Sequence, residues 1–125
     1  MATSRVIVQS GIAGNLISAI KNIIQPYKAG DVQSSADMGA LFSEGSANNA
    51  VAMIKEAQAD GAEVILGDVN RNGAVIQPHL VKNVAPGMRL WDREVFGPGE
   101  CYELLGGSQS LFCFSPFDSR VRNCR

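Results

Sequence analysis

Apolar positions recur along this chain with two periods, one helical and one extended, and they alternate. Arg5-Val6-Ile7-Val8-Gln9 is a short β-branched run that predicts a buried strand. Ser10 is placed to cap a helix behind it. Ile12, Leu16, Ile17, Ile20, Ile23 and Ile24 then share one helical face, with Lys21 and Asn22 off it. This helix should end near Pro26, and its stripe needs a sheet or another helix to pack on. Tyr27 to Asp31 opens a loop, and residues 32–45, rich in Ser, Asp and Gly, carry little periodicity. A second helix is predicted from Ser46 as N-cap, with Ala47, Ala50, Val51, Ile54 and Ala57 inward and Lys55, Glu56 and Asp60 outward. Gly61 suits the position just past its end. Ala62-Glu63-Val64-Ile65-Leu66 comes next as a strand. Asn72-Gly73 is a turn signal leading into another strand, and Pro78 puts that strand near an edge or a bulge. Strands alternating with amphipathic helices argue an α/β fold, with helices packed on a small mixed sheet.

The most specific local chemistry lies in Arg89-Leu90-Trp91-Asp92-Arg93-Glu94-Val95-Phe96-Gly97-Pro98. A charged run ends in an apolar pair, and Gly97-Pro98 enforces a turn behind it. Taken alone, the stretch reads as the start of a strand, with Glu94 a solvated charge beside a packed aromatic ring.

Composition narrows the classes of function. The 125 residues make one small domain or part of a larger one, and 46% hydrophobic content is enough for a core. Eleven basic against twelve acidic residues, net −1, leave no electrostatic footprint for nucleic acid or an anionic membrane. The longest apolar candidate, residues 12–24, is interrupted by Asn15, Ser18, Lys21 and Asn22, so no membrane span is expected. No secretory signal pattern opens the chain. The three cysteines are odd in number and form no Cys-x-x-Cys pair, which argues against a disulfide framework or a zinc site and for a reducing, cytoplasmic setting.

A resemblance adds to this reading. Gly73-Ala74-Val75-Ile76-Gln77-Pro78-His79-Leu80, then Pro86-Gly87-Met88-Arg89-Leu90, then Glu94-Val95-Phe96-Gly97-Pro98 resemble, in order and spacing, the aldehyde dehydrogenase superfamily. Ser4 to Gln9 is similar to the strand that follows that family's catalytic cysteine loop. Gly30-Asp31, Gly39-Ala40-Leu41 and the helix ending in Gly61-Ala62 match further family features. The resemblance covers residues 1–98 and implies a partial aldehyde dehydrogenase catalytic domain. It implies that Glu94 matches the carboxylate that hydrogen-bonds the nicotinamide-side ribose of NAD or NADP, and that Phe96 matches the ring near the nicotinamide. His79 departs from the family's usual Thr and Gly99 from its usual Val.

The same resemblance implies what these residues do not carry. The family's nucleophilic cysteine would fall one or two positions before Met1, with its base glutamate, oxyanion asparagine and nucleotide-binding fold further upstream. No Gly-x-Gly-x-x-Gly or P-loop stands in for them. No catalytic or metal-ligating residue is therefore assigned. Cys101, Cys113 and Cys124 have no visible activating partner and read as inert thiols, although Arg122 and Arg125 flank the last. His79, the only histidine, reads as structural or solvent-facing rather than as a base, and Trp91 as a packing anchor. Residues 99–125 change composition, with no Ala or Ile, all three cysteines and three of the five phenylalanines. This tail is expected to diverge from the family through a shift of frame or splicing and to lack selection for packing in the fold. The expectation is a polypeptide of aldehyde dehydrogenase ancestry that is inactive alone. Its expected partners are a full-length aldehyde dehydrogenase or a second copy of itself.

Overall fold

The computed structural model describes residues 8–31, 33–93 and 95, and the backbone of residues 100–103 and 110–114. The strand expected at residues 5–9 lies almost wholly outside these residues, and Val8 and Gln9 are irregular. Helix α1 spans Ser10–Ile24. Ser10 is its first turn's opening residue rather than its cap. Gln9 holds the extended cap conformation, and its carbonyl accepts from Ile12 N–H at 3.1 Å. Pro26 lacks an N–H, so the helix closes there through Gln25 N–H to Lys21 and Tyr27 N–H to Ile24.

Helix α2 spans Glu44–Ala59 and starts earlier than the sequence suggests. Its cap is Ser43, whose hydroxyl accepts Ser46 N–H at 3.1 Å. Both serines suit a cap by type. Leu41 N–H is held by the Ala74 carbonyl at 2.8 Å, which delivers the chain to the helix at residue 43. The expected inner face holds: Ala47, Ala50, Val51, Ile54 and Ala57 are buried, joined by Met53. The far end closes as a Schellman motif, with Ala62 N–H to Ala57 and Gly61 N–H to Gln58. Gly61 takes φ +104°, as its position past the cap requires.

Strands β1 (Glu63–Leu66), β2 (Arg71–Asn72), β3 (Val75–Ile76) and β4 (His79–Lys82) come next. β2 and β3 form a two-residue hairpin turning on Gly73-Ala74, with Gly73 at φ +59°. Pro78 breaks the run between β3 and β4 rather than marking an edge. β4 is internal, lying between β1 and β6 (Ser110–Phe114), and β5 (Glu100–Glu103) completes the order β1-β4-β6-β5. Every pairing among these strands is antiparallel, in place of the mixed sheet expected, and among the described residues an isolated parallel bridge joins Ala29 to Met38. Backbone bonds of β6 to β4 give the tail a place in the sheet that its composition did not suggest. β1 carries a bulge between Val64 and Leu66, and Glu63 pairs across the strands with Lys82 at 2.7 Å.

β4 organises two cores. Leu80 packs with Ile20 and Ile24 of α1, while Val81 packs in the cluster built on α2 with Ile76, Val84 and Leu90. Helices thus cover opposite faces of one strand, the α/β arrangement predicted. The α1 stripe is narrower than its periodicity implied, because Ile12 and Ile23 are 57% and 63% exposed while Ala13 is buried. The loop after α1 is tied to the sheet by Gln77. Its side-chain amide accepts Ala29 N–H and donates to the Ala29 carbonyl, both at 3.0 Å.

Candidate functional site

The family-matched segment is presented by a short rigid path from β4. Asn83 turns the chain at φ +60°, a conformation Asn tolerates. Val84 is fully buried, and Ala85 to Met88 closes a turn through Met88 N–H to the Ala85 carbonyl, with Gly87 at φ +95°. Residues 89–92 then form a helical turn, α3 (Arg89–Asp92), instead of the start of a strand. The Met88 carbonyl accepts from both Trp91 and Asp92 N–H. The reason is packing: Leu90 is fully buried in the α2 cluster, with Trp91 and Val95 packed against it. One helical turn lets Leu90 and Trp91 reach that core together.

Electrostatics hold the same turn from outside. The Arg89 guanidinium donates to both Glu56 carboxylate oxygens, at 2.7 and 2.9 Å, and to Asn49 on the preceding turns of α2. Each partner is about half exposed, so the pair orients more than it stabilises. Arg93 leaves the turn extended (φ −117°, ψ 139°). Glu94 and Phe96, the residues matched to cofactor contacts, lie outside the described residues. The structure describes their support: Arg93 and Val95 on either side of Glu94, and α3 docked on α2.

A second polar arrangement surrounds His79, for which the sequence alone suggests a structural or solvent-facing place. It is fully buried. A carbonyl can only accept, so Nδ1 donates to the Gln77 carbonyl at 2.7 Å, and Nε2 accepts Val69 N–H at 2.9 Å. The ring is therefore the neutral Nδ1–H tautomer. Burial pushes its pKa below the ordinary histidine range, against the opposing pull of the Gln77 hydrogen bond and the Asp68 charge. Gly67, at φ +110°, lies against the ring so closely that a Cβ there would meet His79 Cδ2 at 2.2 Å. Val69 has φ +53°, a rare state for a β-branched residue. Gly67 was the one readable signal for this turn; the burial of a histidine ten residues on from Val69 leaves no local mark. A groove of about 270 Å³ opens beside it, walled by Tyr27, Lys28, Asp68, Gln77 and Pro78. Among the described residues no cluster of His, Cys, Asp and Glu could hold a metal ion, and no helix is long and apolar enough to cross a membrane.

Comparison with known proteins gives a consistent picture. The sequence profile of the Aldehyde dehydrogenase family matches residues 1–99. An NADP-dependent glyceraldehyde-3-phosphate dehydrogenase of Scenedesmus vacuolatus is 37% identical over 97 residues, 78% of this chain and 41% of that protein. The peroxisomal aminoaldehyde dehydrogenase 2 of Pisum sativum is 30% identical over 105 residues, 80% of this chain and 21% of that one. Among solved structures, the NADP complex of the NADP-dependent glyceraldehyde-3-phosphate dehydrogenase from Bacillus halodurans superposes with a TM-score of 0.72 at 31% identity, covering 82% of this chain and 21% of that chain. A salicylaldehyde dehydrogenase from Pseudomonas putida, complexed with salicylaldehyde, gives 0.74 at 25% identity, covering 83% and 22%. The chain thus spans between about a fifth and two fifths of the length of the curated relatives it matches.

Proposed function

From the premise that this chain belongs to the aldehyde dehydrogenase family, we propose that its residues 83–98 supply the ribose-side wall of an NAD(P) site. In this reading the polypeptide of 125 residues does not oxidise aldehydes by itself. The observation that carries the first part is the docking of α3, which gives the segment around Glu94 a support fixed by Leu90, Trp91 and the Arg89–Glu56 pair. The donor set fits one end of a dinucleotide: the Glu94 carboxylate accepts from ribose hydroxyls and the Phe96 ring offers an apolar face. Bound NAD(P) would supply the hydride acceptor. Relatives described as NADP-dependent, and solved structures holding NADP or NAD+, support that cofactor class.

The second part rests on magnitude and on chemistry. A carboxylate–ribose hydrogen-bond pair contributes roughly 1.5–3 kcal/mol, whereas a Kd of 1 mM needs about 4.1 kcal/mol. The phosphates and adenine have no recognisable site in these residues, nor does the sequence offer an activated nucleophile. We assign the family segment to residues 1–98 and a separate origin to residues 99–125. Sequencing the expressed message across the codon for Gly99 tests that assignment. The odd number of cysteines, with no Cys-x-x-Cys pair, supports a reducing, cytoplasmic compartment.

The test of function is an aldehyde-dependent NAD(P) reduction assay on the purified polypeptide over a broad aldehyde panel, with NAD and NADP binding measured by calorimetry. The expected results are no turnover and Kd values above about 1 mM. Turnover that survives purification would overturn the reading, and substitution of Cys101, Cys113 and Cys124 would then locate its source.

A second reading, docking on the rest of an aldehyde dehydrogenase polypeptide, is favoured by exposed apolar side chains. Phe42 is fully exposed, and Ile12 and Ile23 stand about three turns apart on one face of α1. Light scattering with and without a full-length relative distinguishes a defined complex from self-association. Ile23→Ser with Phe42→Ser is expected to abolish either.

A further inference from the structure

We propose that His79 is a proton-sensitive latch on the β1–β2 turn. With Nε2 bare it accepts Val69 N–H and holds residues 67–70 over the ring; with Nε2 protonated it can no longer accept, and the turn is released. The inference is independent of the dinucleotide reading.

Four observations converge on this. The histidine is fully buried, and both ring nitrogens are committed in a way that only the neutral Nδ1–H form satisfies. A proton added to Nε2 would point at the N–H of Val69, placing two donors head to head. The conformation it holds is one the chain does not favour: Val69 is β-branched and sits at φ +53°. Its retention rests on the bond to the imidazole and on the packing of its side chain against the α2 cluster. The fit of Gly67 against the ring leaves no slack, since even a methyl group there would overlap Cδ2. Loss of the hydrogen bond therefore moves the turn rather than being absorbed within it.

Asp68, within the turn, acts on the imidazole through its charge and favours protonation. Lys28 and Tyr27 face the same groove from the loop after α1. Glu63 of β1 is committed to Lys82 at the opposite end of β4. α1 meets β4 through the apolar Ile20 and Ile24, and the backbone register sets Phe114 of β6 opposite His79. Burial favours the neutral ring, and release of the turn opens it to water on the side that Gly67 covers. Gly67 and Asp68 wall the groove of about 270 Å³, so its shape follows the state of the latch.

Amide hydrogen exchange of the full chain between about pH 6.5 and 5, corrected for intrinsic rates, tests the proposal at one residue. Val69 is expected to exchange through an opening easier than the one exposing Ile54 in α2. Its protection is expected to fall with pH by up to about tenfold per unit, the limit set by one proton taken up on opening. His79→Gln, whose amide can accept without titrating, should flatten that slope. Asp68→Asn should keep it, separating imidazole from carboxylate. Should His79→Gln fail to fold, the wild-type slope at Val69 still decides. A Val69 protection independent of pH would overturn the latch. So would protection equal to that of Ile54 at every pH, because the turn would then open only with the whole fold.

Discussion

Replacing Leu90 by Ala tests whether the family-matched segment is docked or merely adjacent. Leu90 is fully buried in the α2 cluster, and it is the residue through which α3 reaches that core. The substitution removes three carbons, a transfer loss of about 2.4 kcal/mol at roughly 0.8 kcal/mol per buried CH₂. The cavity left behind adds to this, since the cluster around Leu90 relaxes only in part. The expected cost is about 3–4 kcal/mol, within the roughly 2–5 kcal/mol typical of buried Leu→Ala changes. The assay is urea unfolding followed by two probes: far-UV circular dichroism for the helices, and emission of Trp91, the only tryptophan, which lies in α3 itself. At a slope of about 1.5 kcal/mol per M, the midpoint should fall by roughly 2 M. Phe42→Ala removes a larger side chain from a fully exposed position and should cost less than about 0.5 kcal/mol. A Leu90→Ala cost below about 1 kcal/mol would refute the docking of α3, and with it the structural support claimed for Glu94 and Phe96.

Three further outcomes depend on the same geometry. Ser43→Ala should destabilise by about 1 kcal/mol through loss of the bond to Ser46 N–H, measured by thermal unfolding, and an unchanged Tm would return the cap to Ser46. Gly67→Ala should be among the most damaging single changes. It combines strain at φ +110° with a methyl group 2.2 Å from His79 Cδ2; wild-type expression and Tm would contradict it. Stability should also depend on pH with a definite sign. The folded His79 is held below its ordinary value of 6.5, so below that pH the unfolded chain binds a proton the folded one refuses. The contribution is fully present above about pH 6.5 and is lost as pH falls, by up to about 1.4 kcal/mol per unit. Urea midpoints at about pH 7.5 and 5.5, compared between wild type and His79→Gln, check it; parallel lines would refute it.

What can be read in advance divides by whether a signal is local. The inner face of α2 is legible because Ala47, Ala50, Val51, Ile54 and Ala57 repeat at helical spacing against a single partner layer. Gly61 is legible because only its conformation closes the Schellman motif. Sequence sets the cap at Ser46 instead of Ser43 because the two are equivalent by type, and the choice is made by the distant Ala74 carbonyl. The buried stripe of α1 looks too broad in the sequence because periodicity cannot say how much of it β4 covers. The motif around Glu94 is legible as a family resemblance. The helical turn that carries it is not, because Leu90 and Trp91 adopt it only to meet α2. For His79 the sequence leaves open a structural or a solvent-facing place; its burial is not legible, since its environment is made by Gly67 and Val69 of the β1–β2 turn.

Gln77 joins two regions through two different kinds of chemistry. Its side chain supplies Ala29 with the pair of bonds that a neighbouring strand would give, and its carbonyl receives the Nδ1 proton of His79. The first depends on the residue's identity and the second does not, because every amino acid brings a carbonyl. Mutation can therefore detach the loop after α1 without disturbing the imidazole: Gln77→Leu breaks one connection and preserves the other. Evolution can alter these neighbouring features independently, and the loop's attachment is the one open to drift.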